Sequence, residues 1–224
     1  SKIELKWSCT TVGVPPVTTC TPIQDTFLTI VNDYPDDVCV QWYFINGDSP
    51  LPAAFTGSPP VLSERAHPGC NSYNCITCLT HDESTYMSAL TGGPLGCSRF
   101  GVLDSGSLPG RPDPNNPGQR YLRGYAVAFA VDLETGSEIS WNHLSGHVDI
   151  VNYADRSAWE YNTYAFQFVF GGAPGGPAPG ALCGGGEGQL DMNGVEYDFA
   201  FDRLLFDFYA VGSEAYSLPP NTFV

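Results

Sequence analysis

Glycine and proline together take 44 of the 224 positions (25 Gly and 19 Pro). Helix-breaking residues at that frequency leave little room for long helices. Aromatic residues are abundant, with 12 Tyr, 13 Phe and 4 Trp. Strands joined by irregular loops suit such a composition, and a helical bundle does not. A chain of this length makes one large domain or two small ones. Its 42% hydrophobic content is enough for a proper core.

Nine Lys and Arg face 24 Asp and Glu, a formal charge of -15. The only lysines are Lys2 and Lys6. This surface repels nucleic acid and anionic bilayers, while divalent cations and basic or neutral partners stay open. No apolar run reaches 18 residues, so no transmembrane helix is expected in the chain.

The eight cysteines are Cys9, Cys20, Cys39, Cys70, Cys75, Cys78, Cys97 and Cys183. An even count with few lysines and a Gly/Pro-rich body reads as a secreted or cell-surface protein with four disulfides. Eight cysteines admit 105 pairings, so sequence leaves the connectivity open. Four of them, at 70, 75, 78 and 97, are expected to tie one insert. The chain begins SKIELKWSC rather than with Met, as expected where a leader has been removed or a chain has been cut.

Residues 1–21 read as an extended N-terminal arm. Residues 22–224 read as a single β-sandwich domain with a Cys-rich insert at 64–97. In the arm, IELKW is strand-like, and Leu5 and Trp7 would enter a groove on a neighbour, completing its sheet edge. FLTIVN and CVQWYFIN flank the turn cluster Asp33–Asp37 and predict a hairpin. Asp82–Leu90 predicts a short helix, residues 98–104 a strand, and 105–119 a polar linker.

The run YLRGYAVAFAV alternates through Tyr125, Val127, Phe129 and Val131. Further strands are expected at Glu138–Trp141, His147–Asn152 and Tyr161–Phe170, the last a central strand covered on both faces. Asn193-Gly194 signals a hairpin, and LLFDFYAV a final strand. Nine or ten strands give an all-β fold, an antiparallel β-sandwich or jelly-roll-like domain with long Gly/Pro loops. Its expected core includes Phe129, Val131, Phe166, Phe168, Leu205 and Phe208.

GYAVAFAVD, NHLSGHVDIVNYAD and SAWEYNTYAFQF, within residues 124–170, resemble a stretch of uncharacterised secreted or surface proteins of environmental bacteria. The resemblance implies an exported β-rich body attached to a surface. It implies no catalytic residues.

Several constellations could carry chemistry. His67, Cys70, Cys75, Cys78 and His81 contain the Cys-x2-Cys knuckle of a zinc site, but an oxidising compartment favours disulfides. Cys75 and Cys78 lack the helix N-terminus of a thioredoxin motif, and Leu79 stands where haem attachment needs His. Asp104-Ser105-Gly106 matches an aspartic-protease signature that needs a second copy. His143 and His147 are four apart but sit in a turn and strand; His147 and Asp149 share a strand face and could pair.

Asp191, Asn193 and Glu196 are the candidates for a calcium loop, with acids also clustered at Asp33, Asp36 and Asp37 and at Asp132, Glu134 and Glu138. No cofactor is required on this reading, and calcium is the candidate ligand. The expected function is a non-enzymatic extracellular structural component of a surface layer, filament or appendage. It would act by docking to copies of itself or to another surface protein. One alternative is a carbohydrate- or ligand-binding module using Trp42, Tyr43, Trp141, Trp159 and Tyr161 as ring platforms. The other is an acid/base hydrolase such as a glycosidase, drawing on Asp149, Glu160 or Glu196.

Overall fold

The computed structural model describes residues 1–46, 72–93, 97, 100, 108–169, 179–187, 189–199 and 209–211. They form an all-β, antiparallel structure, consistent with a β-sandwich-like fold. The strands are β1 (Lys2–Val12), β2 (Val17–Asn32), β3 (Val38–Asn46), β4 (Ser72–Leu79), β5 (Ser84–Ser88) and β6 (Arg111–Pro112). After them come β7 (Gln119–Val131), β8 (Ser137–Ile139), β9 (Leu144–Asn152), β10 (Ser157–Asn162), β11 (Leu182–Glu187) and β12 (Tyr209–Val211). The main path through the sheet is β11-β8-β7-β1-β2-β9-β10-β12, and β3 joins it at β7 and carries β4.

Strand β7 organises this path. Residues Gln119–Tyr125 pair with β1 on one edge, and Gly124–Val131 pair with β3 on the other. Gly124 and Tyr125 belong to both ladders. A Cβ on Gly124 would stand 2.1 Å from the Ile45 carbonyl oxygen and 3.0 Å from the Phe100 ring. Glycine is what lets the two strands close on β7 at that point.

Residues 1–21 are therefore not an arm. Strand β1 lies between β2 and β7 in the same chain, because its alternation places Ile3, Leu5 and Trp7 in the core. Leu5 has no solvent exposure and Trp7 only 3%, so neither is available to a neighbour.

FLTIVN and CVQWYFIN do not pair with each other either. Strand β2 pairs with β1, β5 and β9, whereas β3 pairs with β4 and β7. The Asp33–Asp37 segment crosses between them. Buried Asn32 holds this crossing: its Nδ2 donates to the carbonyls of Asp36 at 2.9 Å and Thr80 at 3.2 Å. Leu28 and Met87 on the β2–β5 side line one small interior void with Trp42 and Thr77 on the β3–β4 side. The two groups of strands thus face each other across the core.

Other expectations change for identifiable reasons. Residues Ser84–Ser88, expected as helix, pair with Phe27–Val31 as β5; half-buried alternation and the β2 edge override local propensity. This strand and β4 place residues 72–79 and 84–88 of the expected Cys-rich insert in the sheet. In β7 both faces contribute to the interior: Phe129 and Val131 are buried as expected, and Leu122, Ala126 and Ala130 join the hydrophobic core cluster. Phe129 lies on the other face, where it stacks on Tyr43. The strand expected over Tyr161–Phe170 is not formed as such: β10 ends at Asn162, and Phe168 makes an isolated bridge to Tyr197. Phe166 and Phe168 are only half-buried, since no strand covers their second face among the described residues. Asn193-Gly194 does form a turn, with Gly194 at φ +76°, but no strand flanks it among the described residues 189–199. The expected strand at 98–104, apart from Phe100, and the residues Leu205 and Phe208 lie outside the described residues.

Among the described residues three disulfides brace the sheet: Cys9–Cys20, Cys39–Cys78 and Cys75–Cys97. The first two join residues directly opposite each other in the β1–β2 and β3–β4 ladders. Cys78 thus pairs outside the 64–97 segment, because β3 is the strand its own strand lies against. Cys70 and the Cys183 side chain lie outside the described residues. Thiol titration of the unfolded but unreduced protein should give no more than two reactive groups, rising to eight after reduction. A reading of four or more before reduction would contradict these pairings.

Candidate functional site

The ring platform expected at Trp42, Tyr43, Trp141, Trp159 and Tyr161 is not assembled. Trp42 and Trp141 are core residues with 4% and 5% exposure. The Trp42 indole donates to Thr77 Oγ1 at 2.9 Å. Tyr43, its chain neighbour, projects from the other face of β3 onto Phe129. Trp159 and Tyr161 pack partly buried against the core. Burial raises the Tyr161 hydroxyl's pKa, and that hydroxyl accepts from the Lys2 N–H at 2.6 Å.

The calcium candidates are close together but engaged within their own loop. Asn193 Oδ1 accepts from the N–H groups of Val195 at 2.7 Å and Glu196 at 3.0 Å. The Asn193 amide donates to Glu196 Oε2. Asp191 donates its backbone N–H to Glu138 Oε2 at 2.8 Å. The loop is built as a turn closed by the Asn193 side chain, and the Asp191 carboxylate takes no part in these bonds.

Glu138 itself is fully buried. Burial raises its pKa, the Asp191 N–H opposes this, and the charges of Asp191 and Glu196 raise it further. Asp25, accepting from the Ser88 hydroxyl at 2.6 Å and from the N–H groups of Thr26 and Leu90, is likewise raised by burial.

The outer face of β9 and β10 holds a different group. Along β9, Val148 and Ile150 point into the core, so His147 and Asp149 point outward. The register sets Glu160 of β10 opposite Asp149 and Asn162 opposite His147. His147 Nε2 lies 3.1 Å from Asp149 Oδ1 and 3.8 Å from Glu160 Oε2. Its Nδ1 is 3.4 Å from Asn162 Oδ1. All three groups are partly exposed, with side-chain exposures of 35%, 36% and 50%. One nitrogen and two carboxylates therefore converge on an accessible point, with ligand atoms within 4.8 Å of one another.

The pairing of His147 with Asp149 is readable from strand alternation. The arrival of Glu160 is not, because it depends on the β9–β10 register. His143 does not join them: its Nδ1 lies 3.0 Å from Asp33, and its ring packs on Tyr34. His81 sits beside Asp37, while His67 and Asp104-Ser105-Gly106 lie outside the described residues.

The β1–β2 hairpin is the other distinctive surface. Strand β7 covers β1 only as far as Ser8, and β9 covers β2 only from Gln24. Between these limits a two-stranded ribbon extends about 15 Å at roughly 3.3 Å per residue. An isolated ribbon is marginal in water. This one is braced at its base by Cys9–Cys20 and along its length by a Thr11–Thr18 hydroxyl hydrogen bond of 2.7 Å. Val12, Val14 and Val17 are exposed at 65%, 101% and 59%. Residues 7–24 contain no Asp, Glu, Lys, Arg or His.

No protein-family model, curated protein or solved structure matches the chain. The resemblance over residues 124–170 gains no support from them, and the reading of function rests on the geometry. Among the described residues no helix is long and apolar enough to cross a membrane.

Glu138 gives a prediction of defined sign. A carboxyl whose folded-state pKa is raised binds more protons folded than unfolded, so its contribution declines as pH rises through that value. Glu138→Gln should raise the melting temperature on the alkaline side of the ordinary glutamate range and weaken the loss of stability as pH climbs out of that range. A variant with the wild-type slope would exclude Glu138 as a source of that decline.

Proposed function

We propose that this protein is a non-enzymatic, extracellular structural component of a surface layer, filament or appendage. In this reading it associates with copies of itself through the β1–β2 hairpin. The projecting apolar ribbon carries the proposal. Among the described residues its outer edges have no strand partner beyond Cys9, whose N–H meets the Gly118 carbonyl, and before Ile23, whose carbonyl accepts from Tyr153. Unpaired edges invite strand addition, and exposed β-branched side chains supply apolar contact.

A second copy of the same ribbon is the occupant that fits. Two copies related by a two-fold axis present identical, uncharged edges to each other. The rest of the chain carries the -15 charge and resists contact elsewhere. The assembling segment is thus not an arm using Leu5 and Trp7 but the hairpin tip beyond them. The disulfide keeps the ribbon formed before contact, which lowers the ordering cost of association.

Sedimentation velocity over a wide concentration range tests this reading. The intact chain should associate as concentration rises. The combined Val12→Ser, Val14→Ser and Val17→Ser variant should sediment as a monomer with an unchanged far-UV spectrum. A wild-type protein that stays monomeric throughout, or a variant that associates as before, would overturn it.

A further inference from the structure

We propose that His147, Asp149 and Glu160 form a mononuclear site for a divalent first-row transition ion, with Zn2+ the best match. The reading is independent of the hairpin. An ion with ligands about 2.1 Å away in tetrahedral geometry places those ligands about 3.4 Å apart. The separations of 3.1 Å and 3.8 Å from His147 Nε2 to the two carboxylate oxygens bracket that value.

The histidine is oriented for ligation. Asn162 Oδ1 can only accept a hydrogen bond, so its contact at 3.4 Å favours a proton on Nδ1. In that tautomer the Nε2 lone pair is turned toward Asp149 and Glu160, so that a cation seated between them would meet all three groups. A side-chain oxygen on the outer imidazole nitrogen is the usual support for a metal-bound histidine. The platform is also rigid: both strands are paired throughout, β9 with β2 and with β10.

Ligand chemistry selects the ion. Imidazole nitrogen with carboxylate oxygens suits zinc and its neighbours. Calcium instead takes six to eight oxygens, and magnesium keeps an octahedral oxygen shell. The half-exposed position leaves the fourth coordination site open to water or to a donor from outside the domain.

Isothermal titration of the intact, chelator-stripped chain with Zn2+ tests the site, with Ca2+ and Mg2+ titrated in parallel. Saturable binding of Zn2+ is expected, undisturbed by excess Ca2+. Co2+ should give visible absorption bands of low-coordinate geometry. Glu160→Gln, at a half-exposed position, should fold normally and bind Zn2+ at least tenfold more weakly, and His147→Gln should lose the site. Wild-type affinity in both variants would place the ion elsewhere and overturn the proposal. So would the absence of saturable Zn2+ binding, or displacement by equimolar Ca2+, which would leave His147 as a partner in an ion pair only.

Discussion

The backbone ladder of β7 is the constraint on which the rest of the structure depends. Four strands use its two edges: β1 and β8 on one, β3 and β6 on the other. Each of those ladders satisfies backbone groups that would be costly to bury unpaired. It also fixes a register, and with it which side chains face inward. Leu5 meets the core because it stands opposite Leu122, and Trp42 because it stands opposite Ala128. Small residues at Gly124, Ala126, Ala128 and Ala130 let large partners such as Phe44 and Trp42 fill the interior over them.

This also explains what was legible in the sequence. Alternation in β2, β3, β7 and β9 identified the strands and the all-β class, because period-two patterning is a local property. Pairing is not local. FLTIVN and CVQWYFIN looked like a hairpin from their spacing, but they belong to opposite sides of the core. In β7 the burial of Phe129 and Val131 was legible, but that of the opposite face was not, because large residues at Tyr125, Val127 and Phe129 outweigh the small alanines at 126 and 130. At Ser84–Ser88 an acidic start and a Gly-Gly-Pro stop imitated helix punctuation, whereas the open β2 edge decided the outcome. The cysteine pairings followed the same rule. Cys39 and Cys78 meet only because β3 lies against β4, which no spacing encodes.

The two surface features arise from the ladders' limits. The hairpin projects where β1 and β2 outrun their neighbours, so the disulfide at Cys9–Cys20 takes over the support that flanking strands give elsewhere. The His147–Asp149–Glu160 group has the opposite origin. It sits on fully paired strands, and its geometry is set by the β9–β10 register rather than by loop conformation. Sites on strands are held more closely than sites on loops. The 191–196 loop, by contrast, takes its shape from side-chain hydrogen bonds centred on Asn193.

Native-state hydrogen exchange is the most direct measurement of the central claim. If β7 organises the sheet, the amides of Leu122–Ala130 should exchange only through global unfolding. Ribbon amides between Thr10 and Thr19 should exchange through local opening at much lower free energy. Protection that is lost in β7 while β9 and β10 remain protected would contradict the account, because those strands would then hold together without the ladder said to support them.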